Sequence, residues 1–235
     1  MRNSSNDIYL SGEYFSNNPH WGVDDSVWKA EVITNLLKKS NVLPKTVTEV
    51  GCGAGAILEA LSNSFPETNF VGYDISPQAI KIASQRATDR IQFIQEDFCA
   101  SIHPVADLLM VIDVVEHVDN FYDMLRKLSG QANNFIFHIP LDLSCRTILK
   151  PHILLQQRSS VGHIHYFSKE MVEWMLADTG YQIVDWVYTK PVVDVRPPDN
   201  FKRRVKKALR NISFGIHQDI SAKLWGSYSM MILAK

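Results

Sequence analysis

Cysteine is scarce in this chain: Cys52, Cys99 and Cys145 are its only three in 235 residues. An odd number at wide spacings builds neither a disulfide framework nor a CxxC metal knuckle, so a reducing, cytoplasmic setting is expected. Long apolar runs are missing too. No stretch approaches the ~18 apolar residues of a membrane span, and Met1-Arg2-Asn3-Ser4-Ser5-Asn6-Asp7 lacks the apolar core of a secretory signal. Charge of one sign is not in excess: 24 basic and 25 acidic residues leave a net charge of −1. That balance argues against a whole-surface attraction to nucleic acid and leaves room only for a local basic patch. Internal repeats and low-complexity tracts are also absent. What is present, 46% hydrophobic and 21% charged residues, is the make-up of a globular protein. A chain of this length buries roughly 70% of its unfolded surface and needs no disulfide or metal staple.

The order of short patterns predicts one α/β domain over residues 1–235, with residues 1–25 as its N-terminal arm or lid. Asp25-Ser26 is an N-cap signal, and Val27, Ala30, Ile33, Leu36 and Leu37 recur at helical spacing up to Lys38-Lys39, whose charges suit a helix C-terminus. Val47-Thr48-Glu49-Val50 is a short β-branched run stopped by Gly51, and a helical stretch covers 54–63. The unit then repeats. A strand at 70–73 ends at Asp74, Pro77 opens a helix, and 91–94 is a third strand. Residues 107–112 contain five consecutive apolar residues, the pattern of a central parallel strand buried on both faces. Helix at 121–128, strand at 135–139 and helix at 168–178 follow. This alternation gives a mostly parallel sheet with helices on both faces. Beyond Gly180, residues 181–188 and 228–233 are strand-like with no crossover helix required, which predicts an antiparallel pair at the sheet edge. Two stretches fall outside the unit, 143–165 and 190–226, and read as insertions over the substrate side. Ligands in open α/β sheets sit at the carboxyl ends of the strands, where long loops build specificity.

Glu49-Val50-Gly51-Cys52-Gly53-Ala54-Gly55-Ala56 lies between a predicted strand and a predicted helix. Alone it is ambiguous, because Gly51, Gly53 and Ala56 also satisfy the dinucleotide fingerprint, with Asp74 as the acid about 20 residues on. The flanking residues decide. Glu49 ahead of G-x-G-x-G, Asp74 ending the second strand, Glu96-Asp97 after the third and Asp113-Val114-Val115-Glu116-His117-Val118 after the fourth resemble the class I S-adenosylmethionine-dependent methyltransferases. The resemblance runs from about residue 25 to residue 235. It implies a Rossmann-like sheet of seven strands and S-adenosylmethionine as cofactor, with S-adenosylhomocysteine as product. It also implies that Glu49, Gly51, Cys52, Gly53 and Gly55 hold the methionine part, Asp74 with Ile75 the ribose, Asp97 with Phe98 the adenine, and that Asp113 borders the cofactor.

Asp113, Glu116 and His117 fall at i, i+3 and i+4, and on a helix would point the same way. His163 and His165 follow in Gly162-His163-Ile164-His165-Tyr166-Phe167-Ser168. Three readings stay open. His117 or a nearby imidazole acts as general base, its ordinary pKa of about 6.5 suiting work near neutrality. Asp113, Glu116, His117 and His163 hold a divalent metal in a mixed oxygen and nitrogen shell. Or Glu116-His117 is wall of the cofactor pocket. The metal set is similar to that of the small-RNA 3′-terminal 2′-O-methyltransferases, here with Asp as first acid, and the segment also resembles ubiquinone-pathway O-methyltransferases. The expectation is an enzyme with no metal, with His117, Glu116 and His163 as its catalytic group. His138, within a strand, reads as a satisfied core histidine.

Residues 201–212 carry Lys202, Arg203, Arg204, Lys206, Lys207 and Arg210 without an acid, interleaved with Phe201, Val205, Leu209 and Ile212. They predict an amphipathic helix whose basic face suits an anionic acceptor, the alternative being a plain solvated face. Tyr9, Tyr14, Phe15 and Trp21 suit a lid over the cofactor or an arm packed on the sheet edge. The expected function is methyl transfer to oxygen of a small-molecule, glycan-linked or lipid-linked acceptor. No Asn/Asp-Pro-Pro-Tyr/Phe segment, the mark of base or amide N-methylation, follows the fourth strand, where Ile112-Asp113-Val114-Val115 stands. The alternatives are a metal-dependent RNA 2′-O-methyltransferase and a cofactor-binding interaction protein that is not a catalyst.

Overall fold

Strands that are apolar on both faces need a layer of helices on each side, and this chain supplies both. The computed structural model describes residues 7–19, 21, 23–190 and 201–235. The strands are β1 (Thr46–Val50), β2 (Asn69–Asp74), β3 (Ile91–Gln95), β4 (Ala106–Ile112), β5 (Ala132–Leu141), β6 (Ile183–Thr189) and β7 (Tyr228–Ala234). They form one sheet in the order β3-β2-β1-β4-β5-β7-β6, parallel from β3 to β5. Before the sheet come α1 (Asp7–Leu10), α2 (Glu13–Asn17) and α3 (Ser26–Lys39). Within it lie α4 (Ala56–Ser64), α5 (Pro77–Ala83), α6 (Phe121–Leu128), α7 (Cys145–Leu149), α8 (His152–Ser160), α9 (Lys169–Asp178), α10 (Phe201–Ile216) and α11 (Gln218–Trp225).

The core divides along β4, whose successive side chains face opposite layers. Leu108 and Met110 pack with Ile33, Leu37, Leu58 and Leu61 of α3 and α4. Leu109 and Val111 pack with Leu125, Leu128, Val172 and Leu176 of α6 and α9. β6 and β7 are antiparallel as the sequence predicts, but β7 is not at the edge: it inserts between β5 and β6 and pairs with both. Its composition explains the placement. All seven residues of Tyr-Ser-Met-Met-Ile-Leu-Ala are buried, whereas most of β6 is partly exposed. The two stretches outside the repeat are helical, the first as α7 and α8, the second as α10 and α11, with 191–200 outside the described residues. Among the described residues no helix is long and apolar enough to cross a membrane. The strand order reverses direction between β1 and β4, so the loops leaving these two strands part and open a crevice above them.

Candidate active site

The crevice is a cleft of about 450 Å³ whose base is the loop after β1. Gly51 and Cys52 both donate their amides to the Tyr73 carbonyl, at 2.8 and 3.0 Å. Gly51 has φ 74°, and a Cβ there would lie 2.5 Å from Val114 Cγ2, so the loop passes under the turn that follows β4 only as glycine. Gly51, Cys52 and Gly53 line the cleft. Gly55 is not among the lining residues: with φ 75° it precedes α4, and a Cβ on it would meet the Phe93 ring at 2.4 Å. Its role is close packing of the loop on β3.

Acids close the strands around this loop, and Glu49, Asp74, Asp97 and Asp113 all line the cleft, as do Ile75 and Phe98. Glu49 is 1% exposed and its Oε2 has no hydrogen-bond partner. Burial pushes its carboxyl up to about 8, with Lys29 opposing the shift and Asp74 and Asp113 adding to it. Asp74 accepts the Ser76 amide on Oδ1 at 2.8 Å and the Gly53 amide on Oδ2 at 2.9 Å. Burial raises the Asp74 pKa against these two amides, and each carboxylate oxygen keeps a second lone pair for a ligand. Asp97 is exposed, caps the short turn that follows it through the Cys99 amide at 3.0 Å, and stands beside Phe98, which stacks on His103 at 4.1 Å.

Residues 113–118 are not an α-helix. Asp113 has φ 54°, and a single 3₁₀ turn follows over Val115–His117. The three polar side chains that a helix would align therefore part company. Asp113 accepts Lys29 Nζ on Oδ2 at 2.7 Å and His138 Nδ1 on Oδ1 at 2.6 Å. Lys29 also pairs with Asp25 at 2.9 Å. Burial works against both charges, yet His138 and Lys29 hold the Asp113 carboxyl well below the usual range, and Asp113 and Asp25 hold the Lys29 ammonium above its own. His138 is buried and its second nitrogen meets Thr189 Oγ1 at 2.8 Å, so both ring nitrogens are satisfied.

Glu116 and His117 instead join His163, and ligating atoms of the three lie within 4.8 Å of one another. His117 lines the cleft, while Glu116 and His163 stand behind it. The Gly162 carbonyl, 3.1 Å from His117 Nδ1, can only accept, so that nitrogen carries the proton and Nε2 a lone pair. Asp142 Oδ2, 2.8 Å from His163 Nδ1, fixes the same tautomer on the second ring. Both free nitrogens face Glu116 Oε1, at 3.9 and 4.0 Å. Glu116 is 0% exposed, and neither carboxylate oxygen has a hydrogen-bond partner. Burial, with Asp113 and Asp142 adding, raises its pKa well above the ordinary value. Burial and the neighbouring His163 lower His117 to about 4, which keeps it neutral at physiological pH.

A roof crosses the cleft from His117 to the glycine loop. Tyr9 sits 5.9 Å from the His117 ring, Tyr14 4.9 Å from Tyr9, and Trp21 4.8 Å from Tyr14, between ring centroids. Trp21 lies over Gly53 at 3.6 Å from the Cβ position of that residue. Phe15 is not part of this row and is exposed. On the insertions, Lys206 of α10 lies in the field of Arg146 and Lys150 near α7 and of Arg210; burial lowers its pKa first, and these three cations lower it further.

Two residues of this site escape the sequence reading. Lys29 stands on the apolar face of α3 beside Ala30 and Ile33, and a lysine in a buried helical register is a signal for a buried partner. Asp142 follows β5 as Asp97 and Asp113 follow β3 and β4, so the rule of an acid after each strand extends one strand further than expected.

Residues 25–185 match the family model described as a methyltransferase domain. A malonyl-(acyl-carrier protein) O-methyltransferase from Neorickettsia risticii is 24% identical over 173 residues, 73% of this chain and 68% of its own length. The magnesium protoporphyrin IX methyltransferase of Synechocystis PCC 6803 with bound S-adenosylhomocysteine superposes with a TM-score of 0.60 at 18% identity, over 88% of this chain and 82% of its own. The cyclopropane synthase MmaA2 of Mycobacterium tuberculosis gives 0.62 at 15% identity, over 87% and 83%.

Proposed function

We propose that this chain, which belongs to the class I S-adenosylmethionine-dependent methyltransferases, methylates an oxygen atom of a small or carrier-linked acceptor. S-adenosylmethionine supplies a methyl group already activated by its sulfonium. The protein's own tasks are to hold the reactants in line and to relieve the acceptor of its proton. On the cofactor side, the unpartnered Glu49 Oε2 fits a cationic amine, the free lone pairs of Asp74 fit a pair of ribose hydroxyls, and Asp97 beside Phe98 fits an aromatic amine. Ile75, Gly51, Cys52 and Gly53 complete that wall. The described part of the arm acts as a lid, its Tyr9, Tyr14 and Trp21 rings excluding water from the cleft.

The observation that carries the oxygen acceptor is the polar set at the end of β4. Glu116, His117 and His163 turn lone pairs, and no N–H, toward the space between them. Of these, His117 lines the cleft and can receive the proton of an acceptor hydroxyl, while an acceptor carboxyl is already ionised and needs only to be held in line. The O-methyltransferase name of the Neorickettsia relative supports oxygen, and its acyl-carrier substrate supports a carrier-linked acceptor. The described parts of the insertions, α7, α8, α10 and α11, bring Lys206 near Arg146 and Lys150, a cluster that favours an anionic carrier, while Arg210 is buried with its guanidinium on the Trp225 and Gly226 carbonyls.

Methyl-labelled S-adenosylmethionine, offered with acyl-carrier-linked carboxylates, lipid-linked sugars, hydroxylated small molecules and a short RNA, tests this. The expected product is a labelled ester or ether on one of the first three classes. Label on nitrogen or carbon overturns the oxygen acceptor, and label on RNA ribose alone overturns the acceptor class.

A further inference from the structure

We propose that Glu116, His117 and His163 form a binding site for a divalent first-row transition cation, with Asp142 and the Gly162 carbonyl as the groups that orient the two imidazoles. Three ligating atoms converge, one each from Glu116, His117 and His163, and the second Glu116 oxygen is a further buried acceptor without a partner. A fully buried carboxylate without a donor is costly, because it has lost its hydration and gained no partner. A proton on Glu116 would remove the buried charge but leave its O–H without an acceptor. The carboxyl lies 3.9 and 4.0 Å from the two imidazole nitrogens, beyond hydrogen-bond reach. A single water donates only two hydrogens to these four acceptors.

A cation answers the three converging atoms at once. Tetrahedral ligands at bonds of about 2.1 Å stand roughly 3.4 Å apart, so the observed separations, from 3.9 Å to at most 4.8 Å, must close by about 0.5 to 1.4 Å around an ion. The ligands sit on elements that can give: a 3₁₀ turn at Val115–His117 and an irregular stretch at 162–168. The second ring nitrogens are spoken for by a carbonyl and a carboxylate, the arrangement that sets the tautomer of a metal-binding histidine. Two imidazoles and one carboxylate select zinc, cobalt, manganese or iron(II) over magnesium or calcium.

Asp113 is not a ligand. Its two oxygens are taken by Lys29 and His138, so the site has three protein ligands and an open position. His117 forms part of the cleft wall, which puts that position within reach of a ligand in the cleft. On the reading of methyl transfer to oxygen, the cation would bind the acceptor oxygen and lower its pKa; with His117 Nε2 on the cation, the proton would leave to solvent and not to that imidazole.

The test is direct binding of cobalt(II) and zinc(II) to the full chain, stripped with chelator, by calorimetry and by the visible ligand-field bands of cobalt. One cation per chain is expected. Glu116→Gln and His163→Gln should each weaken binding at least ~100-fold, and Asp142→Asn roughly 10- to 100-fold. His152→Ala, on exposed α8, should change nothing. Thermal melting of each stripped protein reports whether it folds, and His163→Gln stands in if Glu116→Gln does not. Wild type that binds no cation, or binds it no better than these variants, overturns the site. Methyl transfer to oxygen that continues undiminished after stripping overturns the cation's part in the reaction and leaves the oxygen acceptor standing. A cation that binds as expected in a protein that methylates only nitrogen or carbon keeps the site and overturns that acceptor.

Discussion

The two halves of the cleft are built by different means. On the side of β2 and β3, backbone amides fix the acids: Asp74 by those of Ser76 and Gly53, two and 21 positions away, and Asp97 by that of Cys99, two positions away. On the side of β4 and β5 the fixing partners come from distant chain. Lys29 reaches Asp113 across 84 positions, and His117 meets the Gly162 carbonyl across 45. A site held by local turns needs only the turns to form, whereas one held by long-range pairs exists only once the whole sheet and its covering helices are assembled.

The sharpest way to break this comparison is at Lys29, whose ammonium joins α3 to the end of β4. Lys29→Met leaves Asp113 and Asp25 without their shared cation, and removing one member of a buried pair costs about 3 kcal/mol when the remaining charges are only partly solvated. Denaturant unfolding should register that loss, and Asp113→Asn in the same chain should recover part of it. A loss under about 0.5 kcal/mol would place the pair with exposed ion pairs of little consequence.

A local site should fail locally. Asp74→Ala removes the carboxylate that faces the cleft and is expected to weaken S-adenosylhomocysteine binding roughly 10- to 150-fold, the equivalent of about 1.5–3 kcal/mol. Thermal melting without ligand should move far less than for Lys29→Met. Unchanged affinity in a folded Asp74→Ala protein would mean that the ribose lies elsewhere in the cleft.

The same contrast governs how much the sequence discloses. The strand and helix order, the glycine loop and the acids Glu49, Asp74 and Asp97 are legible because each is a short pattern set by backbone geometry. Placing β7 inside the sheet depends on which partner strands are left to pair, and no window of residues holds that information. Asp113-Val114-Val115-Glu116-His117 misleads for a related reason. Its spacing suits one helical face, but the left-handed Asp113 and the 3₁₀ turn send Asp113 toward Lys29 and Glu116 toward His163. Gly55 is legible as a loop glycine, while its use as a seat for Phe93 needs β3 in place.

Glu49 sharpens the comparison through pH. Its pKa rises from 4.5 to about 8 in the folded protein, chiefly through burial. Between these values the native state holds a proton that the unfolded chain has lost, so the stability of the cofactor-free protein should fall as pH rises through that interval. Glu49→Gln removes the titration and should flatten that slope, while weakening S-adenosylhomocysteine by about tenfold for want of a charge-assisted bond to its amine. Melting temperatures of both proteins at the two ends of the interval measure the first effect, and titration calorimetry the second. A wild-type profile as flat as that of Glu49→Gln would mean that Glu49 is ionised, with a partner on its second oxygen.

The smallest effect is expected on the acceptor side, at the cationic cluster over α7. Lys206 and Lys207 are half-buried on α10, and Lys206 shares its surroundings with Arg146, Lys150 and Arg210. Like charges gathered against their own repulsion raise the local potential, which steers an anionic acceptor more than it binds one. Reversing Lys206 and Lys207 to Glu should therefore raise the acceptor KM a fewfold, leave S-adenosylhomocysteine affinity unchanged, and lose its effect at high salt, where the Debye length shrinks to about 3 Å at 1 M. A shift in cofactor affinity would tie α10 to the half of the cleft held by local turns. A KM change that persists at high salt would point to direct contact with the acceptor, and no change at all would leave the basic face of α10 to solvent.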